Sequence, residues 1–198
     1  MSPTATTDSK KQPGGAGIFI ALVPWVVFSL LAAHVSVEAA AVTALLASIA
    51  IAVPSLRRRR PKTLELAAIA AFAGITIAAF LGSSGSGDWL AEYARAIAAG
   101  LLGLIAFGSL LFTPFTEQYA RESVPRSAWG SSTFKAVNRK LTITWGLVFV
   151  GMIPGHIAAG AIDTRAANLV LNWALPVALV VWGIKRTSAL SDNASSRA

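Results

Sequence analysis

The chain has 198 residues, of which 55% are apolar and 13% charged, and its 17 Lys and Arg against 9 Asp and Glu leave a net charge of +8. A soluble domain of this size carries about 25% charged residues, so too few polar side chains are present to cover a water-facing surface. There is no cysteine, which excludes disulfides, thiolate metal sites and thiol redox chemistry.

The apolar residues come in blocks. A helix needs roughly 20 apolar residues to cross about 30 Å of hydrocarbon. Windows at 17–33, 39–54, 64–82, 94–112, 141–161 and 169–184 meet or approach that length. The pattern predicts an all-α membrane protein: a six-helix transmembrane bundle forming one domain over 14–186, with polar, disordered cytoplasmic tails at 1–13 and 187–198. Lys10 and Lys11 before the first block resemble the start of a signal peptide. That block is long, contains Pro24 and is followed almost at once by the second, so it is expected to remain uncleaved.

Charge orients the bundle. All Lys and Arg except Arg95 and Arg165 fall in the two tails and in the loops that share their side. Short basic loops stay cytoplasmic, which predicts both termini inside. The run Arg57, Arg58, Arg59, Arg60 has the look of a nucleic-acid patch. Between two apolar blocks it reads instead as a stop-transfer anchor on anionic lipid headgroups. Membrane lipid is the expected partner, and nucleic acid is not.

Small residues at four-residue spacing let helices approach closely in lipid. The second block has Ala40, Ala44, Ser48 and Ala52; the third Ala70, Gly74, Ala78 and Gly82. The fourth has Ala96 and Gly100, with Gly103 and Gly108, and the fifth has Gly151 and Gly155. A tight bundle with little interior volume is expected. Pro24, Pro154 and Pro176 lie inside blocks and should kink them. Glu38 suits the start of the second helix, where an acid meets the positive end of the dipole. Glu92 and Arg95, three apart at the start of the fourth, read as a surface pair.

Candidates for chemistry are few. Charged side chains at mid-membrane mark ion paths and active sites, and none of the six blocks has one near its centre. His34 and His156 lie towards the outer ends of their blocks and present two readings: a metal or haem pair, or two interfacial histidines that never meet. No cofactor is expected. Asn168 and Asn172, polar residues on the last span, are where a cavity would form. The least generic stretch is the inner loop from Thr113 to Lys140. Pro114 opens a short helix with Phe115 and Tyr119 on one face, read as an interfacial amphipathic segment between spans four and five. Its candidate partner or lipid contacts are Glu117, Arg121, Glu122, Trp129, Asn138 and Arg139.

Several of these features together resemble the intracellular septation protein A family. They are a short first hairpin with Glu38 at its outer turn, a basic loop, a third span rich in small residues, the 114–125 inner loop, Asn138 followed by Trp145-Gly-Leu-Val-Phe149, and a last span ending in basic residues. The resemblance runs over about residues 17–186. It implies a multi-pass protein of the bacterial inner membrane, linked to the cell envelope and to division or elongation machinery, acting through protein contacts. The expected function is therefore a non-enzymatic one in envelope maintenance, through protein or lipid contacts, with membrane-protein partners or a homo-oligomer. The alternatives are a small transporter or lipid-handling protein with a polar cavity, and a membrane enzyme or haem protein using the outer histidines.

Overall fold

The computed structural model describes residues 16–82 and 87–195; the N-terminal tail expected at 1–13 lies outside them. Among the described residues the chain is helical, with no strand. Among them, five helices are long and apolar enough to cross a membrane, and a sixth, shorter apolar helix precedes them.

Helix α1 (Ala16–Leu31) turns at once into α2 (Val37–Arg57), which Ser36 caps by accepting from the Ala39 amide at 3.3 Å. Glu38 falls in that first turn, as its charge favours. A basic turn leads to α3 (Thr63–Gly82), and α4 (Gly87–Ser109) follows. The inner loop folds as a short α5 (Phe115–Ala120) and a 3-10 turn (Arg126–Ala128). The long α6 (Ser132–Ile162) comes next. A short α7 (Arg165–Leu169), a π turn (Val170–Ala174) and α8 (Leu175–Ser195) then form one helical path. Successive long helices run up and down. One end of the bundle therefore gathers the tetra-arginine turn, α5 and the start of α6; the far end gathers the α1–α2 turn, the start of α4 and the α6–α7 turn.

The helices pair into two layers. Helices α1, α2 and α3 pack as one group, α6 lies between α4 and α8 in the other, and α3 touches α4. Within the first group Ala40, Ala44, Ser48 and Ala52 of α2 are all buried, the seam expected from their spacing. Ser48 satisfies its hydroxyl on the Ala44 carbonyl at 2.8 Å. On α3 the expected seam faces outward instead: Ala70, Gly74 and Ala78 are exposed, and Leu64, Ala68, Phe72, Ile75 and Ala79 face the core. The reason is aromatic packing. The Phe72 ring centroid lies 4.7 Å from that of Trp25 and 5.4 Å from that of Phe28, so large side chains fill this interface. Outside the bundle Leu81, Leu104, Leu111 and Phe112 are strongly exposed, an apolar exterior that matches lipid rather than water.

In the second group the glycines set the spacing. A Cβ on Gly103 would stand 2.7 Å from Val150 Cγ2, and one on Gly146 would stand 2.8–3.0 Å from three atoms of the Phe107 ring. One on Gly155 would reach 2.5 Å from Leu175 Cδ2 and 3.3 Å from the Leu171 carbonyl oxygen. Pro176 explains the π turn. A proline cannot donate to the carbonyl four residues back and clashes with it; here that carbonyl belongs to Asn172, and the helix widens over Val170–Ala174. The Leu175 amide then bonds the Val170 oxygen, five residues back.

Four expectations need correction. Helix α4 begins at Gly87, seven residues before the apolar window. Helix α6 starts at Ser132, nine residues before its apolar window, because Ser131 caps it by accepting from the Phe134 amide. At 1.5 Å per residue its length is about 46 Å, more than hydrocarbon requires. The expected C-terminal tail is helical as far as Ser195, continuing α8 without a breaker. Finally, α5 forms where expected but is not laid on a surface: Phe115, Thr116, Glu117 and Tyr119 are buried against the ends of α1 and α6.

Candidate functional site

An open pocket of about 420 Å³ lies at the far end of the bundle, walled by the ends of α1, α4 and α6, by α7 and by the π turn. Asn168 and Asn172, the expected cavity residues, both line it. Their amides are ordered by a chain of hydrogen bonds. Asn172 Nδ2 donates to Asn168 Oδ1 at 2.6 Å, and Asn172 Oδ1 lies 2.6 Å from Nδ1 of the buried His156. With Oδ1 as acceptor, His156 carries its proton on Nδ1. The π turn brings Asn172 to this position, and the absence of a side chain on Gly155 lets that turn approach α6. π turns recur at functional sites because they re-aim side chains in this way.

Three charged residues share the lining. Arg95 donates from Nε to the Ser29 carbonyl at 3.2 Å, while its Nη2 is buried with no hydrogen-bond partner among the described residues. Glu92 and Asp163 are exposed at the rim. Asp163 caps α6 in the left-handed region at φ 44°, a conformation that aspartate tolerates. The expected Glu92–Arg95 surface pair does not form, because Arg95 turns inward to α1. His34, also on the lining, is exposed, whereas His156 is buried beneath Asn172. Among the described residues no group of three His, Asp or Glu converges as a metal site.

A second polar constellation seals the basic end. Glu65, 6% exposed, accepts from the Ser55 hydroxyl and lies 3.7 Å from Lys62. Lys62 also pairs with Glu122 at 2.8 Å and sits 4.2 Å over the Tyr119 ring. Burial, helped by the Glu65 and Glu122 carboxylates, pushes the Tyr119 phenol well above its ordinary range. Gln118 binds the start of α3, accepting from the Thr63 amide at 2.7 Å and donating to the Thr63 hydroxyl at 2.8 Å. Thr116 bonds the Asn138 carbonyl and the Thr142 hydroxyl, both at 2.8 Å. The close seat of α5 against α1 needs Gly17, where a Cβ would stand 3.0 Å from Tyr119.

The six residues expected to contact partners divide accordingly. Glu117, 4% exposed, holds Arg121 at 2.5 Å, and Arg121 lies 5.2 Å over the Trp129 ring. Trp129 donates to the Val124 carbonyl at 2.9 Å, and Asn138 is buried. These four serve the chain's own packing. Glu122 faces outward while bound to Lys62, and Arg139 is exposed, as are Arg57, Arg58, Arg59 and Arg60. Not anticipated from the sequence were the Lys62–Glu65 and Thr116–Thr142 contacts, and Arg95 and Asp163 as fellow lining residues of the asparagines. Only Asn168 and Asn172, named as polar residues of the last span, marked the pocket in advance. No family model, no curated protein and no solved structure matches the chain.

Proposed function

We propose that the chain is a six-span protein of a bacterial inner membrane, with both ends in the cytoplasm, that binds a small polar solute or lipid headgroup in the far-end pocket. The observation that carries this reading is the pocket itself: about 420 Å³, lined by Glu92, Asp163, the half-buried Arg95 and the two asparagines, which are held in a hydrogen-bonded chain that ends on the buried His156. Binding sites of small molecules are concavities of about 300–1,000 Å³ with a few convergent polar groups. The charge distribution supports the orientation, since Arg95 and Arg165 alone among the described basic residues lie at the pocket end. Helix α1 supports the sixth span: it is apolar, and its Ala21, Trp25 and Phe28 are buried in the core.

The test is to fill the pocket. Ala33 and Ala91 line it and are exposed, so larger side chains there leave the core untouched. Ala33→Trp and Ala91→Phe are each expected to reduce retention of co-purifying small molecules or lipids by at least about tenfold, the equivalent of 1.4 kcal/mol, as counted by native mass spectrometry. Equal retention by both variants would contradict the reading.

A second reading has its own support. Arg57 to Arg60 and Arg139 are exposed at the basic end of the bundle, suited to anionic headgroups or to a membrane partner in envelope maintenance, as the septation protein A resemblance implies. Surface plasmon resonance on vesicles with and without phosphatidylglycerol measures this rim directly.

A further inference from the structure

The charges of the far-end pocket are sorted by depth. At the rim stand two exposed carboxylates, Glu92 and Asp163. They come from different elements, and both line the pocket. Glu92 Cγ lies 2.9 Å, and its Oε1 3.3 Å, from where a Cβ on Gly160 would stand, and Gly160 precedes Asp163 by about one helical turn. Arg95 follows Glu92 by three residues along α4, about 4.5 Å further from the rim at 1.5 Å per residue. It is half-buried, with one guanidinium nitrogen wholly covered and unpartnered among the described residues. Arg165, exposed at the start of α7, does not line the pocket.

This ordering discriminates among ligands. A neutral solute leaves the Arg95 charge unmatched below the rim. A simple anion must pass two carboxylates. A simple cation finds the rim but meets Arg95 beneath it. A partly desolvated arginine gains most from a carboxylate or phosphate, and the exposed carboxylates gain most from an ammonium, which can donate to more than one acceptor.

We propose that the pocket takes a zwitterion, whose phosphate or carboxylate meets Arg95 and whose protonated primary amine sits between Glu92 and Asp163. The proposal rests on the reading of the pocket as a binding site and adds the chemical class of its ligand. The same pair of charges is offered by the headgroup of an aminophospholipid and by a free amino acid or phosphoethanolamine.

The experiment uses the full chain purified in detergent or reconstituted in nanodiscs. Phosphoethanolamine and glycine are titrated by calorimetry against probes with one of the two charges: inorganic phosphate, acetate and ethanolamine. Nanodiscs of phosphatidylethanolamine and of phosphatidylglycerol provide the lipid arm, read by native mass spectrometry. The zwitterion is expected to bind about tenfold or more tightly than any single-charge probe. Retention of phosphatidylethanolamine in preference to phosphatidylglycerol assigns the lipid source, and tight binding of free phosphoethanolamine or glycine assigns the solute source. Glu92→Gln with Asp163→Asn, both at exposed positions, is expected to abolish the preference for the amine while phosphate binding persists. Arg95→Gln should weaken every anionic probe about tenfold, and Arg95→Lys should recover part of that loss. Equal binding of zwitterion and phosphate by the wild-type chain, lost in Ala91→Phe, would overturn the zwitterion and leave the pocket as a binding site. No binding of any probe, or binding that Ala91→Phe leaves unchanged, would overturn both.

Discussion

Replacing Gly146 by Leu is expected to cost about 3 kcal/mol of stability, the upper part of the range for forcing extra volume into a packed interior. The Phe107 ring lies over Gly146, with three of its atoms 2.8–3.0 Å from the position a Cβ would take, and Gly146 is buried in the α4–α6 interface. A ring can rotate, but Leu adds four carbons where the first already overlaps. In lipid the association of helices depends on close van der Waals contact rather than on expulsion of water. Separating α4 from α6 therefore removes what joins them. Gly74→Ala is the matched comparison. Gly74 is exposed with nothing within 4 Å of its Cβ position, and the gain in helix propensity should stabilise the protein by about 0.5–1 kcal/mol. Reversible unfolding in mixed detergent micelles measures both. A Gly146 variant as stable as the Gly74 variant would mean that α4 and α6 are not packed through this glycine.

The second large effect is expected at the basic end. Lys62→Met should cost about 3 kcal/mol, because removing one partner of a buried pair leaves an uncompensated charge. Lys62 is 13% exposed and is shared by Glu65, Glu122 and the Tyr119 ring. Without it the buried Glu65 keeps only the Ser55 hydroxyl. Adding Glu65→Gln to Lys62→Met should recover most of the loss, since the amide still bonds Ser55 and carries no charge. The double-mutant cycle over these two residues separates that coupling from lost packing. If the double variant is no better than Lys62→Met alone, the aliphatic stem of the lysine, and not its charge, is what the site needs.

How much of this was visible in the order of residues depends on which contrast each feature uses. Ala40, Ala44, Ser48 and Ala52 were legible as a seam because small residues at that spacing permit close approach, and α2 uses them so. Ala70, Gly74 and Ala78 follow the same rule and face outward. Both faces of a membrane helix are apolar, so hydrophobic periodicity does not choose between them. The choice on α3 is made by Trp25 and Phe28 of α1, which seat on Phe72. Asn168 and Asn172 were legible as polar residues on the last apolar span, where a cavity would form. Arg95 was not, because an arginine near a helix start reads as a surface charge until α1 is known to offer the Ser29 carbonyl. Ser55 and Glu65 face one another across the tetra-arginine turn, and only the pairing of α2 with α3 brings them together.

The central claim is that the two ends of the bundle face opposite sides of a bilayer, with the pocket outside. The chain has no cysteine, so a single introduced thiol reports its own exposure. Arg58→Cys marks the basic turn, and Ala166→Cys, exposed at the start of α7, marks the pocket end. With a membrane-impermeant maleimide, the Ala166→Cys protein should label on intact spheroplasts and the Arg58→Cys protein only after the membrane is permeabilised. Labelling of both without permeabilisation, or labelling of the tetra-arginine turn alone, would contradict the account.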